Sequence, residues 1–241
     1  MRVIRSVLFY LGMLVVTVGV VLPLPLVLLL PTRKRYAVAL LGQWNRIILA
    51  WLATTCGLRY RVLGQENIPP GPAVILAKHQ SAWETIAFQQ IFPRQTWVLK
   101  RELLWIPIFG WGLAAHQPVA IDRRAGKKAL RQVIDQGTAR LREGLWMVIF
   151  PEGTRVAPGE RGRYAAGGAM LAHHAGVPVV PVAHNAGEFW PKQGFLKHPG
   201  TVTVSIGPTL DPAGVKPAEL NRQVEEWIES EMTRIGSNPA V

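Results

Sequence analysis

The stretch AVILAKHQSAWET, residues 73–85, decides the fold that we predict for this chain. Its first half is an apolar run with the length of a buried strand, and Pro-Pro-Gly-Pro at 69–72 precedes it as a turn signal. Its second half places His79 just past the carboxyl end of that strand, which is where open α/β sheets hold their functional sites. The stretch therefore predicts a strand that delivers a polar site to one edge of a sheet.

Glu84 follows His79 by five residues and is a candidate partner for its ring. A carboxylate that accepts a hydrogen bond from one ring nitrogen leaves the other nitrogen to take a proton from a substrate hydroxyl. The pair is thus a candidate general base with the group that orients it. A histidine and a glutamate at this spacing are more often ordinary surface residues, so the interpretation depends on the rest of the chain.

Composition and charge narrow the class of protein. Hydrophobic residues make up 49% of the 241 residues and charged residues only 17%, which is too apolar for a disordered chain. The net charge of +12 indicates an anionic partner, either nucleic acid or a membrane. Residues 7–30 contain no charge, and basic residues flank them at Arg2, Arg5 and 33–35. This pattern favours the membrane over nucleic acid.

The apolar run 7–30 is long enough to cross a hydrocarbon core of roughly 30 Å at about 1.5 Å per residue. Its length and the basic cluster after it disfavour a signal peptide, while Pro23 and Pro25 leave a re-entrant hairpin as an alternative. Residues 36–57 have helical apolar spacing and predict a second helix, either against the bilayer and the first helix or facing the core. We assign 1–57 to a two-helix membrane anchor and 58–241 to a catalytic domain.

After residue 57 short apolar runs alternate with helical patterns. Strands are predicted at 58–63, 73–77, 96–99, 118–121, 146–150, 177–182 and 201–206, and helices at 82–92, 125–143 and 216–235. Such alternation predicts an α/β layered domain with a central, mostly parallel or mixed sheet flanked by helices. The single cysteine, Cys56, excludes an intrachain disulfide, so we expect the catalytic domain to face the cytoplasm.

Two further polar stretches follow predicted strands. Phe-Pro-Glu-Gly-Thr-Arg occupies 150–155, and Asp122 begins an Asp-Arg-Arg sequence after the run 118–121. Because parallel strands end at the same edge of a sheet, these side chains are expected near His79. Guanidinium groups hold phosphate through two parallel hydrogen bonds, although a single arginine is more often a solvated surface residue.

Together these stretches resemble the 1-acyl-glycerol-3-phosphate acyltransferases of the glycerolipid acyltransferase superfamily. Residues 79–84 match the first motif, His-x4-Asp, with Glu in place of Asp, and 119–123 resemble the second motif. Residues 150–155 match the third motif in full, and the Pro-containing strand 177–182 matches the fourth. The segment 100–110 also resembles the family's sequence between the first two motifs. The likeness covers residues 58–187 in the family's motif order.

The resemblance implies acyl transfer from acyl-carrier protein or coenzyme A to the 2-hydroxyl of 1-acyl-glycerol 3-phosphate, which gives phosphatidic acid for phospholipid biosynthesis. It implies that His79 and Glu84 are catalytic. The implied substrate-binding residues are Lys100, Arg123, Glu152, Gly153, Thr154 and Arg155. No metal and no cofactor are expected, because the thioester co-substrate is already activated. The implied partners are the membrane, its lipid acceptor and the thioester donor, with no nucleic acid, at the cytoplasmic face of the inner membrane.

Three rival interpretations stay open. A metal hydrolase could use His79, Glu84, His173, His174 and His184, but the chain lacks the His-x3-His and His-Glu-x-x-His spacings. A non-catalytic module that binds anionic lipid would explain the charge and the apolar N-terminal region, but not the ordered polar residues at strand ends. An acyltransferase of the same superfamily that acts on another lysolipid is the closest rival.

Overall fold

A computed structural model describes residues 1–23, 33–107 and 109–236, without the side chains of 33–35 and 123. The helices are α1 Arg2–Val21, α2 Arg33–Cys56, α3 Trp83–Ile91, α4 Phe109–Ala115, α5 Lys127–Arg142, α6 Gly167–Ala175, α7 Ala186–Phe189 and α8 Pro217–Gly236. The strands are β1 Leu58–Leu63, β2 Val74–Ala77, β3 Gln95–Lys100, β4 Val119–Ile121, β5 Trp146–Ile149, β6 Val179–His184 and β7 Gly200–Ile206.

The seven strands form one mixed sheet in the order β1-β7-β6-β2-β5-β3-β4. Strands β6, β2, β5, β3 and β4 are parallel, whereas β7 pairs antiparallel with β6 and parallel with β1. The predicted α/β fold is therefore confirmed. The parallel strands bring their carboxyl ends, and the polar residues that follow them, to one edge of the sheet.

Helices cover both faces of the sheet, and strand β2 shows why its sequence is apolar throughout. Ile75 and Ala77 are buried in one hydrophobic cluster with α2 and α3, while Val74 and Leu76 are buried in a second cluster with α5, α6 and α8. A strand covered on both faces has no polar side, so the usual alternation is absent. Burying a side chain as large as Leu76 stabilises the fold by about 1.5–3 kcal/mol.

Helix α1 differs in its limits from the predicted apolar segment 7–30. It begins at Arg2 and ends at Val21, while residues 24–32, including Pro25, lie outside the described residues. By length and composition, α1 is the one helix in the described residues that could cross a membrane, a criterion that a signal sequence also meets. Only 11% of its most apolar window is buried, so most of this helix presents apolar side chains outward.

The expectation of two apolar membrane helices is wrong for the second helix, α2. Helix α2 packs against α1, but it also buries Ile48, Leu52 and Cys56 in the cluster that contains sheet residue Val204. Ile48 and Leu52 are fully buried. One side of α2 thus belongs to the core of the α/β layers, which was the alternative left open for residues 36–57. The division of the chain at residue 57 stays a prediction.

Lys197 contacts both α1 and the segment that follows α7. Its side chain is buried, its Nζ lies 4.5 Å from the centres of the Tyr10 and Trp190 rings, and it donates to the Tyr10 hydroxyl at 2.7 Å. Its backbone N–H donates to Ser6 Oγ at 2.9 Å. Burial lowers the pKa of the Lys197 ammonium to about 8. The aromatic faces, the Tyr10 hydroxyl and the carbonyl oxygens of Gly194 and Phe195 compensate part of the desolvation of this cation.

Candidate active site

The structure brings His79 and Glu84 together as the sequence predicts. His79 Nδ1 lies 2.8 Å from Glu84 Oε1. The His79 ring stacks on Phe150 with a centroid distance of 4.1 Å and is 15% exposed. Since a carboxylate only accepts, Nδ1 carries the proton and Nε2 has the lone pair. The geometry therefore leaves Nε2 as the nitrogen that can accept a proton from a substrate.

The start of helix α3 fixes Glu84. The backbone N–H groups of Gln80 and Ser81 donate to Glu84 Oε1 at 3.0 and 2.8 Å, and the side chain is fully buried. Burial raises the pKa of this carboxyl, but the hydrogen bonds from His79 and the Ser81 N–H act in the opposite direction, and the net pKa is lowered. The helix N-terminus also favours a negative charge there. Glu84 is thus an anion whose position does not depend on the substrate.

His184, at the end of β6, is a buried neighbour of this pair that the sequence grouped with it only as a ligand of a metal hydrolase. Its Nε2 lies 2.8 Å from the Lys78 carbonyl oxygen, and Ala186 N–H donates to its Nδ1 at 3.3 Å. These partners require a proton on Nε2 and a lone pair on Nδ1. Burial lowers the pKa of His184, which keeps the ring neutral. His184 therefore supports the backbone next to His79 rather than competing for its proton.

Glu152 of the third motif contacts the backbone of His79. Its Oε2 accepts from the backbone N–H of His79 at 2.7 Å, and its Oε1 lies 2.8 Å from Lys78 Nζ. Burial raises the pKa of this carboxyl, and the net pKa is raised although the Lys78 ammonium and the His79 N–H act in the opposite direction. The side chain is fully buried. The structure thus places Glu152 against the histidine's backbone, whereas the resemblance implied contact with substrate.

The rest of the third motif forms a turn around the same histidine. Val156 N–H donates to the His79 carbonyl at 2.8 Å, so the loop contacts both backbone groups of His79. Gly153 has φ of +68°, a left-handed conformation that favours glycine. Lys192 donates to Thr154 Oγ1 at 3.3 Å and to the Arg155 carbonyl at 3.0 Å. Arg155 is partly exposed on this loop.

Lys100 and Arg123 follow two neighbouring strands at the same edge. Lys100 ends β3 and is exposed, and Arg123 comes two residues after β4, which pairs with β3. The Arg123 side chain lies outside the described residues. The backbone N–H of Arg124 donates to Asp122 at 2.9 Å, and this bond and the Arg124 charge lower the pKa of Asp122. Topology therefore places Lys100 and Arg123 on the edge that carries His79.

Several backbone N–H groups that could stabilise an oxyanion already have partners. Those of His79, Gln80 and Ser81 donate to carboxylates, and that of Gly153 donates to the Phe150 carbonyl at 3.0 Å. An oxyanion donor must point at the developing charge on the substrate. The first motif in this conformation therefore serves to fix His79 and Glu84.

A base oriented by a buried carboxylate, at the carboxyl edge of an α/β sheet and beside a basic loop, suits transfer to a hydroxyl on an anionic acceptor. Residues 59–185 match the family model described as Acyltransferase. That match covers more than half of the chain, and the chain belongs to the acyltransferase family.

Individual relatives agree with this assignment. The chain is 48% identical over 210 residues to the 1-acyl-sn-glycerol-3-phosphate acyltransferase of Pseudomonas aeruginosa, covering 86% of this chain and 81% of the relative. It is 29% identical to the human 1-acyl-sn-glycerol-3-phosphate acyltransferase beta over 75% of this chain and 68% of that protein. The crystal structure of the Thermotoga maritima 1-acyl-sn-glycerophosphate (LPA) acyltransferase, PlsC, superposes with a TM-score of 0.81 at 26% identity, covering 100% of this chain and 98% of that one.

Proposed function

We infer that this enzyme transfers an acyl group from a thioester to the 2-hydroxyl of 1-acyl-glycerol 3-phosphate and so forms phosphatidic acid. The observation that carries the proposal is the 2.8 Å contact between His79 Nδ1 and buried Glu84, at the edge where the third-motif loop presents Arg155. The names of the Pseudomonas, human and Thermotoga relatives support the same acceptor.

The proposed reaction assigns a role to each part of the site. His79 Nε2 takes the proton of the acceptor hydroxyl as its oxygen attacks the thioester carbon, and Glu84 stabilises the imidazolium that forms. The carbon–sulfur bond then breaks, and the thiol leaves with a proton returned from His79. Arg155, with Arg123 and Lys100, holds the acceptor phosphate, and Gly153 and Thr154 shape the loop that presents Arg155. Glu152 positions His79 instead of contacting substrate.

We extend the proposal to the donor and the location of the enzyme. The donor is acyl-carrier protein or acyl-coenzyme A, both of which supply a thioester that needs no metal or further cofactor. The acceptor is drawn from the cytoplasmic face of the inner membrane, where α1 exposes its apolar side chains to lipid. The net charge of +12 favours an anionic membrane surface.

The deciding experiment compares purified wild-type enzyme with His79→Ala and Glu66→Gln. Glu66 lies in an exposed turn and provides the control. The assay follows thiol release and phospholipid product with lysophosphatidic acid, lysophosphatidylcholine and glycerol 3-phosphate, each offered with both donors. We expect turnover on lysophosphatidic acid and a loss of roughly 100-fold or more in His79→Ala. Preference for another acceptor, or a His79→Ala rate within a few fold of wild type, contradicts the proposal.

A further inference from the structure

Three charged side chains form a cluster next to the backbone of His79. Lys78, Glu152 and Glu229 form this buried charge triad: Lys78 Nζ lies 2.8 Å from Glu152 Oε1 and 2.9 Å from Glu229 Oε1. The Lys78 and Glu152 side chains are 1% and 0% exposed, and Glu229 is 17% exposed. A lysine is seldom buried to this extent unless its charge is paired.

The Lys78 ammonium donates two hydrogen bonds, to Glu229 Oε1 at 2.9 Å and to the Glu160 carbonyl at 3.1 Å, and it lies within ion-pair distance of Glu152. Tyr164 donates to the same Glu229 oxygen at 2.8 Å and fixes that carboxylate. Because the Lys78 side chain is only 1% exposed, its ammonium is not accessible to a substrate. Its function must therefore be exerted on the groups around it.

Glu152 connects this triad to the reacting ring. One of its oxygens faces the Lys78 ammonium and the other accepts the backbone N–H of His79 at 2.7 Å. Lys78 is also bonded through its own carbonyl to His184 at 2.8 Å. The backbone from which the His79 ring projects is thus held by Glu152 on one side and by the Lys78 peptide on the other.

We propose that Lys78 and Glu229 are positioning residues: Lys78 keeps Glu152 ionised and in place so that the His79 ring meets the acceptor hydroxyl, and Glu229 holds Lys78. This assignment rests on the proposed function, because it takes His79 as the base. Glu229 lies on α8, beyond the residues 59–185 that match the family model, so the C-terminal helix takes part in setting the base.

The physical argument is one of charge balance. Without the ammonium, Glu152 would be a fully buried carboxylate with no counter-charge, and it would take up a proton or move whether Glu229 is charged or replaced by Gln. A protonated or displaced Glu152 is a weaker acceptor for the His79 N–H. The ring would then shift, and even a small misplacement of a reacting group costs as much as roughly 100-fold in rate.

The test uses Lys78→Met, the double variant Lys78→Met with Glu229→Gln, and Glu225→Gln as a control. Methionine keeps the unbranched shape without charge, and the double variant removes the excess negative charge that would oppose folding. Glu225 lies on the same helix but pairs with exposed Arg161 at 2.7 Å. Folding is checked by circular dichroism and thermal unfolding in detergent micelles. Turnover is measured with lysophosphatidic acid and acyl-coenzyme A.

We expect the double variant to fold and to lose kcat by roughly tenfold or more, with KM for both substrates within about twofold. A second readout is the proton on His79 Nδ1, observed by NMR in histidine-labelled protein, which we expect to shift or vanish in this variant and to stay unchanged in Glu225→Gln. A folded double variant with wild-type kcat and an unchanged Nδ1 signal overturns the proposal. Failure of both Lys78 variants to fold also overturns it, because the triad would then serve the fold alone.

The two readouts separate this inference from the proposed function. If the wild-type enzyme acylates no lysophosphatidic acid but the Nδ1 signal still depends on Lys78, the proposed function is wrong and the positioning role stands. If the wild-type enzyme acylates lysophosphatidic acid and neither the Nδ1 signal nor kcat changes in the Lys78 variants, the positioning role is wrong and the proposed function stands.

Discussion

Replacing Glu84 by Gln should lower kcat by roughly tenfold while the enzyme stays folded. Glu84 Oε1 accepts from His79 Nδ1, Gln80 N–H and Ser81 N–H, and a Gln oxygen can keep these contacts without the charge. A hydrogen bond to a charged group is worth about 1.5–3 kcal/mol and a neutral one about 0.5–1.5 kcal/mol. The imidazolium that forms during transfer is therefore stabilised by about 1–1.5 kcal/mol less beside Gln than beside Glu. A loss of 1.36 kcal/mol lowers the rate about tenfold.

The same substitution has a measurable effect on stability. The Gln NH2 group would occupy the place of Glu84 Oε2, which is buried and has no hydrogen-bond partner among the described residues. An unsatisfied buried donor costs about 1–3 kcal/mol, so the melting temperature should fall by a few degrees. The assay combines initial rates of thiol release with thermal unfolding, and Glu66→Gln is the control. A Glu84→Gln kcat within twofold of wild type at an unchanged KM would refute the role of the charge.

The departure from the family's Asp gives a companion measurement. Glu84→Asp withdraws the carboxylate by roughly one C–C bond, about 1.5 Å, from a contact that is now 2.8 Å. A shorter side chain cannot reach His79 and both N–H groups without a shift of α3, so we expect kcat to fall. Wild-type rates in Glu84→Asp would show that the contact between carboxylate and imidazole is loosely constrained.

Three other predictions test the remaining parts of the molecule. Arg155→Lys keeps the charge but loses the paired hydrogen bonds to phosphate, so KM for the acceptor should rise more than KM for the donor, and an equal rise in both would contradict the assignment. Burial lowers the pKa of His184 below the 6.5 of a free histidine, so the unfolded chain binds the extra proton and stability is lost as pH falls below about 6.5. The melting temperature of His184→Gln should therefore fall less between about pH 7 and pH 5 than that of the wild type. An equal fall in both proteins would disprove that His184 causes the loss of stability in acid. A chain without residues 1–56 should aggregate, since Ile48 and Leu52 are fully buried against the sheet, and recovery of a folded monomer would argue against that role.

The sequence predicted most of the sheet because the central strands are short apolar runs between turn residues. Strands β2 and β5 were predicted within one residue of their observed limits, and the pairing of His79 with Glu84 was predictable because both lie in one turn of chain. Helices α4, α6 and α7 were missed, since all three are short and contain glycine, which weakens a helical pattern.

The long-range contacts that hold the backbone around His79 could not be predicted from the sequence. Lys78 looks like a surface lysine in the sequence, and its partner Glu229 is 151 residues away. His184 is 106 residues from the Lys78 carbonyl that it contacts. Local patterns carry no information about such distant pairs. Helix α2 shows the same limit, because its apolar spacing does not indicate whether lipid or a sheet lies against it.

The third-motif loop has a consequence for the choice of acceptor. Glu152 and Val156 hold the two backbone groups of His79, and Arg155 lies between them on the same short turn. Under the proposed function, this one turn sets the separation between His79 as the base and Arg155 as the group that binds the phosphate. An acceptor would then be selected by the number of bonds between its hydroxyl and its phosphate, and lysolipids that differ in that number would not satisfy both contacts at once.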